Sequence, residues 1–340
     1  MNPIHDFRSD TVTRPSAGMR AAMAAAELGD AVFDDCPTTK RLEAMAAERL
    51  GKEAGLFFPT GTQSNLAGLM AHCGRGDEYL VGQQAHTYRY EGGGAAVLGS
   101  IQPQPLPNDA GGIIALEAIE AGIKADDFHH ARTRLLTLEN TFAGQVLPQD
   151  YVQEATDLAR RHGLATHLDG ARVMNAAVAS GRDPAAVVAG FDSVSLCLSK
   201  GLGAPIGSVL VGPRDFIAAA RRLRKVLGGG MRQTGVIAAA GIYALENNVA
   251  RLAEDHARAA RLSEVLGRFP ALGAGAARTN MVFMHPEGIA AEDFVAFMAG
   301  QGIAITGGYG SIRWVAHLDV GDEAVEAAAA ACEAFMATRP

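Results

Sequence analysis

Ser195-Leu196-Cys197-Leu198-Ser199-Lys200-Gly201-Leu202-Gly203 is an apolar, strand-like run that ends in a hydroxyl, an amine and a flexible glycine. Thirty-one residues before the lysine, Leu164-Ala165-Thr166-His167-Leu168-Asp169-Gly170-Ala171-Arg172 ends a second such run in a carboxylate. That separation fits one strand–helix–strand unit, which sets two strand ends side by side. Open parallel sheets bind their ligands beyond the carboxyl ends of the strands. The pair therefore predicts an α/β chain with a site over Asp169 and Lys200.

The flanking segments extend the pattern. Gly55–Phe58, Tyr79–Val81, Leu135–Leu138, 164–168, 193–198 and 207–211 read as strands. Thr38–Leu50, Ser64–Cys73 and Gln149–Arg161 read as helices by their apolar spacing. Residues 6–12 read as extended, and Pro15 opens an Ala-rich helix to about Ala26. Alternating strands and helices predict a mainly parallel sheet covered on both faces. Past Ala250 the pattern changes. A helix over Arg251–Arg268, strand-like 280–284, 303–305 and 312–316, and two further helices predict a small α+β domain. The expected division is a large domain over 1–250, with an N-terminal arm over 1–25, and a small domain over 251–340.

Composition narrows the function. The 340 residues are 48% hydrophobic and 20% charged, with a formal charge of −7. No Lys/Arg-rich stripe suits nucleic acid. No apolar run approaches the ~20 residues of a membrane span. Asp6, Arg8 and Asp10 interrupt any signal core. Cys36, Cys73, Cys197 and Cys332 lack zinc or disulfide spacing, so no metal is expected and the cytoplasm is the expected compartment. Neither GxGxxG nor GxxxxGK[ST] occurs.

An amine and a carboxylate on adjacent strand ends suit pyridoxal phosphate. Its aldehyde condenses with a lysine, and its ring nitrogen needs an acid partner to stay protonated. Lys200 and Asp169 are the candidates. Gly61-Thr62-Gln63 lies between a strand and a helix, where free N–H groups and the helix dipole favour a phosphate. Ser199 could donate to the same group. His86 is either structural or a flat ring that stacks on the cofactor and takes a proton near neutral pH. His129 and His130 are harder to place, and at least one reads as a surface residue. Arg172 and Arg313 could grip a carboxylate through two parallel bonds. Arg313 sits in the apolar run Ile312-Arg313-Trp314-Val315, where an unpaired guanidinium is costly. The basic cluster Arg221, Arg222, Arg224, Lys225 is either a solvated helix face or, with Gly228-Gly229-Gly230-Met231-Arg232, an anion site.

Five segments together resemble the low-specificity L-threonine aldolases. They are Arg8–Pro15, Pro59–Asn65, His167–Arg172, Ser199–Pro205 and Gly228–Gln233, in the family's order. The resemblance implies the aspartate-aminotransferase-like fold type I, bound pyridoxal phosphate, and a homotetramer of tight dimers that share active sites. It implies aldol cleavage of L-threonine, L-allo-threonine and related β-hydroxy-amino acids to glycine and an aldehyde. It assigns Lys200 to the covalent link and Asp169 to the ring nitrogen. Gly61, Thr62 and Ser199 would hold the phosphate with Arg232 from the neighbouring subunit, and His86 would stack on the ring. Ser9, Arg172 and Arg313 would grip the substrate carboxylate, and His129 would lie near the substrate hydroxyl. For the base at that hydroxyl, His86 comes first and His129 or a water second. Phe33, Cys36 and Phe142 depart from the family's usual residues, which bears on substrate preference.

Overall fold

Seven strands form the central sheet of the computed structural model, which describes residues 5–308 and 311–338. Their order is Ala54–Phe58, Ser208–Gly212, Ser193–Cys197, Ala165–Gly170, Thr133–Glu139, Glu78–Gly82, Gln102–Leu106. Ser208–Gly212 runs antiparallel to both of its neighbours, and every other pairing is parallel. Ser193–Cys197 and Ser208–Gly212 are buried at every position, as a sheet covered on both faces requires. Asp169 and Ser195 are register partners on adjacent parallel strands.

Gln102–Leu106 is a strand that the sequence pattern does not reveal. Its Pro103 and Pro105 cannot donate to a ladder, and it pairs on one side only, at the sheet edge. The helix expected from Ser64 begins earlier, at Gly61, and runs to His72. Thr60 caps it by accepting from the Gln63 N–H at 3.1 Å. Residues 6–12 are not one extended piece. His5–Asp6 is a short strand, and Asp10–Val12 is a 3₁₀ turn capped by Ser9.

The C-terminal part packs Leu252–Leu266, Ala291–Gly300 and Asp322–Ala337 around an antiparallel sheet of Thr306–Gly308, Ser311–Val315 and Met281–Met284. Its buried apolar cluster is separate from the one under the large sheet. Leu252 belongs to the large cluster, whereas Ala259, Leu262 and Val265 on the same helix belong to the small one. Phe7 is buried in the small cluster with its ring 5.3 Å from Trp314. The start of the arm thus packs with the C-terminal part, although the sequence reading groups it with the large domain. His5–Asp6 pairs with Ile303–Ala304, which makes the same link through the backbone.

Candidate active site

Two cavities meet at His86, which lines both. The inner one, about 180 Å³, is lined by Gly61, Thr62, Asn65, His86, Asp169, Ser199 and Lys200 among others. The outer one, about 540 Å³, is lined by His86, Tyr90, Glu139, Phe142, Arg172 and Arg313 among others. The fold thus gathers Lys200, Asp169, His86, Gly61, Thr62, Ser199, Arg172 and Arg313 at one end of the sheet. The first three come from the ends of different strands or the turns after them, and Gly61 and Thr62 open the helix over the inner cavity.

Asp169 is buried, and each of its oxygens accepts one hydrogen bond. Its Oδ2 accepts from Asn65 Nδ2 at 3.0 Å and its Oδ1 from the Ala171 N–H at 3.1 Å. Asn65 Nδ2 also donates to Glu91 Oε1 at 2.8 Å, and that oxygen lies 2.9 Å from His86 Nδ1. The bond to Glu91, working against burial, raises His86 above the ordinary histidine value. Burial raises Glu91. Ligand atoms of His86, Glu91 and Asp169 all lie within 4.8 Å of one another, and the Asn65 amide already bridges the two carboxylates. Glu139 Oε2 accepts from the His86 backbone N–H at 2.8 Å. Burial, then the nearby Asp169, pushes Glu139 up to about 7.

The two arginines differ. Arg172 turns its fork inward, with Nε 2.7 Å and Nη2 2.6 Å from the two oxygens of Asp10. Burial acts to raise Asp10, but Arg172 outweighs it and holds the carboxyl down at about 2. The sequence makes Arg172 a candidate for a ligand carboxylate, whereas its fork is committed to Asp10 and only Nη1 stands outside that pair. Arg313 donates from Nη2 to the Arg8 carbonyl at 3.0 Å, and its Nε is buried with no partner. Burial, then the charge of Arg172, lowers Arg313.

The inner cavity offers an anion cradle. Gly61 and Thr62 open the helix with free N–H groups. A Cβ at Gly61 would lie 3.4 Å from Ser208 Oγ, itself buried without a partner. The Gln63 side chain turns away and donates to the Leu227 carbonyl at 2.8 Å.

Three expected residues line neither cavity within this chain. Ser9 accepts from the Thr11 hydroxyl at 2.9 Å and caps the turn that delivers Asp10. His129 is exposed, pairs with Asp127 at 2.6 Å and packs on Phe128. Arg232 is exposed and reaches Asp30 at 3.1 Å. The basic cluster divides: Arg222 and Lys225 are exposed, as a solvated helix face expects, and the other two are engaged within the chain. Arg224 is buried and donates to the Phe57 carbonyl at 2.7 Å, and Arg221 lies 3.3 Å from Asp34. Asp10, Asn65, Glu91 and Glu139 were missed as site residues. Asp10 and Asn65 lie inside the recognised segments, and Glu91 follows His86 by five positions.

Residues 6–288 match the beta-eliminating lyase family. The chain is 52% identical over 334 residues to the low-specificity L-threonine aldolase of Escherichia coli K12, covering 98% of this chain and 99% of that one. It belongs to the low-specificity L-threonine aldolase family. In fold it resembles a threonine aldolase of Leishmania major, with TM-score 0.81, 20% identity, and coverage of 97% of this chain and 99% of the other. The aspartate aminotransferase of Rhizobium meliloti gives TM-score 0.69 at 17% identity, covering 97% and 92%. The aspartate-aminotransferase-like α/β fold expected from the sequence is therefore present, and the family is one of lyases. No helix among the described residues is long and apolar enough to cross a membrane.

Proposed function

We propose that this chain cleaves L-threonine, L-allo-threonine and related L-β-hydroxy-amino acids to glycine and an aldehyde, using pyridoxal phosphate. The observation that carries this reading is the joining of Lys200, Asp169 and an anion cradle in one cavity that opens onto Arg313. The cofactor fits the residues present. Gly61 and Thr62 N–H groups, Ser199 and the unpartnered Ser208 hydroxyl suit its phosphate, Asp169 its ring nitrogen and Lys200 its aldehyde. When bound, it supplies an electron sink for the pair released when the Cα–Cβ bond breaks.

This chain's residues supply the rest. Arg313, which lines the outer cavity, brings its guanidinium to the substrate carboxylate, and Arg172 offers Nη1. Fixing the carboxylate fixes the rotation about Cα, which selects the bond that breaks. His86 Nδ1 faces Glu91, so Nε2 is the nitrogen available to take the β-hydroxyl proton. Such a base contributes on the order of 10²–10⁴-fold. Glu91 steadies the imidazolium that results. His129, exposed and paired with Asp127, does not compete for this role within the chain.

The working form is a homotetramer whose dimers share sites, with Arg232 reaching the phosphate of the neighbouring subunit. Exposed Leu28, Val32, Phe33, Val226 and Val236, close in sequence to Asp30 and Arg232, support contact between copies there. The four cysteines are buried and free, which suits a reducing cytoplasm. Incubation with L-threonine and L-allo-threonine tests the reaction. Acetaldehyde with equimolar glycine is expected, and a keto acid in their place would assign the chain to elimination or transamination.

A further inference from the structure

A hydrogen-bonded chain leads from Asn65, which lines the inner cavity, to His167, Ser193 and His72, which line neither cavity. On the helix Gly61–His72, Asn65, Gly68 and His72 form one stripe at helical spacing. Beneath it, Asp169 and His167 alternate along one strand, and His167 and Ser193 are register partners. His72 Nε2 lies 2.7 Å from Ser193 Oγ, and Ser193 Oγ lies 2.8 Å from His167 Nδ1. His167 Nε2 lies 3.2 Å from Asn65 Oδ1. Gly68 makes room for the ring, because a Cβ there would come within 2.9 Å of His167 Cε1.

The direction of every bond follows from counting donors. Asn65 Nδ2 faces two carboxylate oxygens, so the nitrogen side of the amide points at them and Oδ1 faces His167. Oδ1 only accepts, so His167 carries its proton on Nε2. Burial pushes His167 down to about 3 and His72 to about 4, so both rings are neutral near pH 7. His167 Nδ1 is therefore bare and accepts from the Ser193 hydroxyl. That hydroxyl has no second proton, so it accepts from His72 Nε2.

We propose that His167 is a positioning residue for the reaction: its Nε2–H locks the Asn65 amide in the one orientation that gives an N–H to both Asp169 and Glu91. Ser193 and His72 hold the His167 tautomer that makes this possible. A flipped amide would present its oxygen to two carboxylates. The relay thus fixes Asp169, the acid that would partner the cofactor's ring nitrogen, and, through Glu91, the base His86. The inference rests on the roles given to Asp169 and His86 above.

Neutron diffraction from wild-type holoenzyme crystals reads the proton positions. The proposal expects a deuteron on Nε2 of His167, none on its Nδ1, and one on Nε2 of His72. A deuteron on Nδ1 of His167 overturns it. Two variants of similar length then separate positioning from packing. His167→Gln keeps an amide N–H near the position of Nε2, whereas His167→Met keeps only bulk. Cofactor release from His167→Met is expected at about 10-fold higher dissociation constant, the effect of one lost buried hydrogen bond. His167→Gln should stay near the wild-type value and keep its cofactor absorbance spectrum. Equal loss in both variants overturns the proposal. Asp169→Asn keeps the two readings apart: unchanged cofactor binding there would remove the role of Asp169, while the deuteron positions would still judge the relay.

Discussion

Glu139 ties the ionisation of the cavity to the position of His86. Its carboxylate accepts the His86 backbone N–H, and burial, then the nearby Asp169, pushes it up to about 7. A charged Glu139 favours the imidazolium of His86, and His86 must be neutral to accept a proton. Glu139→Gln should therefore move the acid limb of kcat/KM to lower pH. A limb that stays in place or moves up would contradict the coupling. Arg313→Met removes the guanidinium that lines the outer cavity and that we assign to the substrate carboxylate. KM for threonine should rise about 10- to 100-fold, the range for a hydrogen bond to a charged group, with cofactor content unchanged. Lys200 and Asp169 were legible in the sequence because each ends an apolar run whose length fixes where it points. Asp10, Glu91 and Glu139 were not. Asp10 pairs with Arg172 and Glu139 with His86 across long stretches of chain that no local pattern records, and the five-residue spacing of His86 and Glu91 is not a helical one that signals contact.

The helix Gly61–His72 does three things along its length. Its first turn offers the anion cradle, Asn65 bridges the two carboxylates, and Gly68 and His72 clear and anchor the His167 ring. Gly68→Ala gains helix propensity of about 1 kcal/mol but forces a contact of 2.9 Å on a buried ring. Overpacking costs about 1–3 kcal/mol, so denaturant unfolding should show net loss of stability. The helix itself was expected, though its start was placed three residues late. A Pro-Thr-Gly-Thr turn reads as loop until Thr60 is seen to cap it. The edge strand Gln102–Leu106 was hidden for a related reason, since only its position at the border of the sheet tolerates two prolines.

Asp10 joins three parts of the molecule. It lies on the N-terminal arm, pairs with Arg172 after the central strand, and accepts from Asn280 Nδ2 of the C-terminal part at 3.3 Å. Removing one partner of a buried ion pair costs about 3–5 kcal/mol, so Asp10→Ala should unfold markedly earlier on heating. Because the folded value of Asp10 is depressed to about 2, its contribution is present above the ordinary 3.8 and disappears as pH falls through about 2. His72 works in a higher window. Its folded value of about 4 lies below 6.5, so the unfolded chain takes protons first and stability falls between those values as pH drops. His72→Gln should flatten that part of the melting profile relative to the wild type. Association between copies is tested at Phe33, which is 75% exposed. Phe33→Lys should shift the solution mass to smaller species and lower cofactor retention together.

The proposed reaction requires a covalent link between the cofactor and one nitrogen, that of Lys200. Treating the cofactor-loaded protein with borohydride and mapping the labelled peptide measures it. The tag should fall on Lys200 alone, and Lys200→Ala should carry none and turn over no threonine. A tag on another lysine, or full activity in Lys200→Ala without added amine, would contradict it.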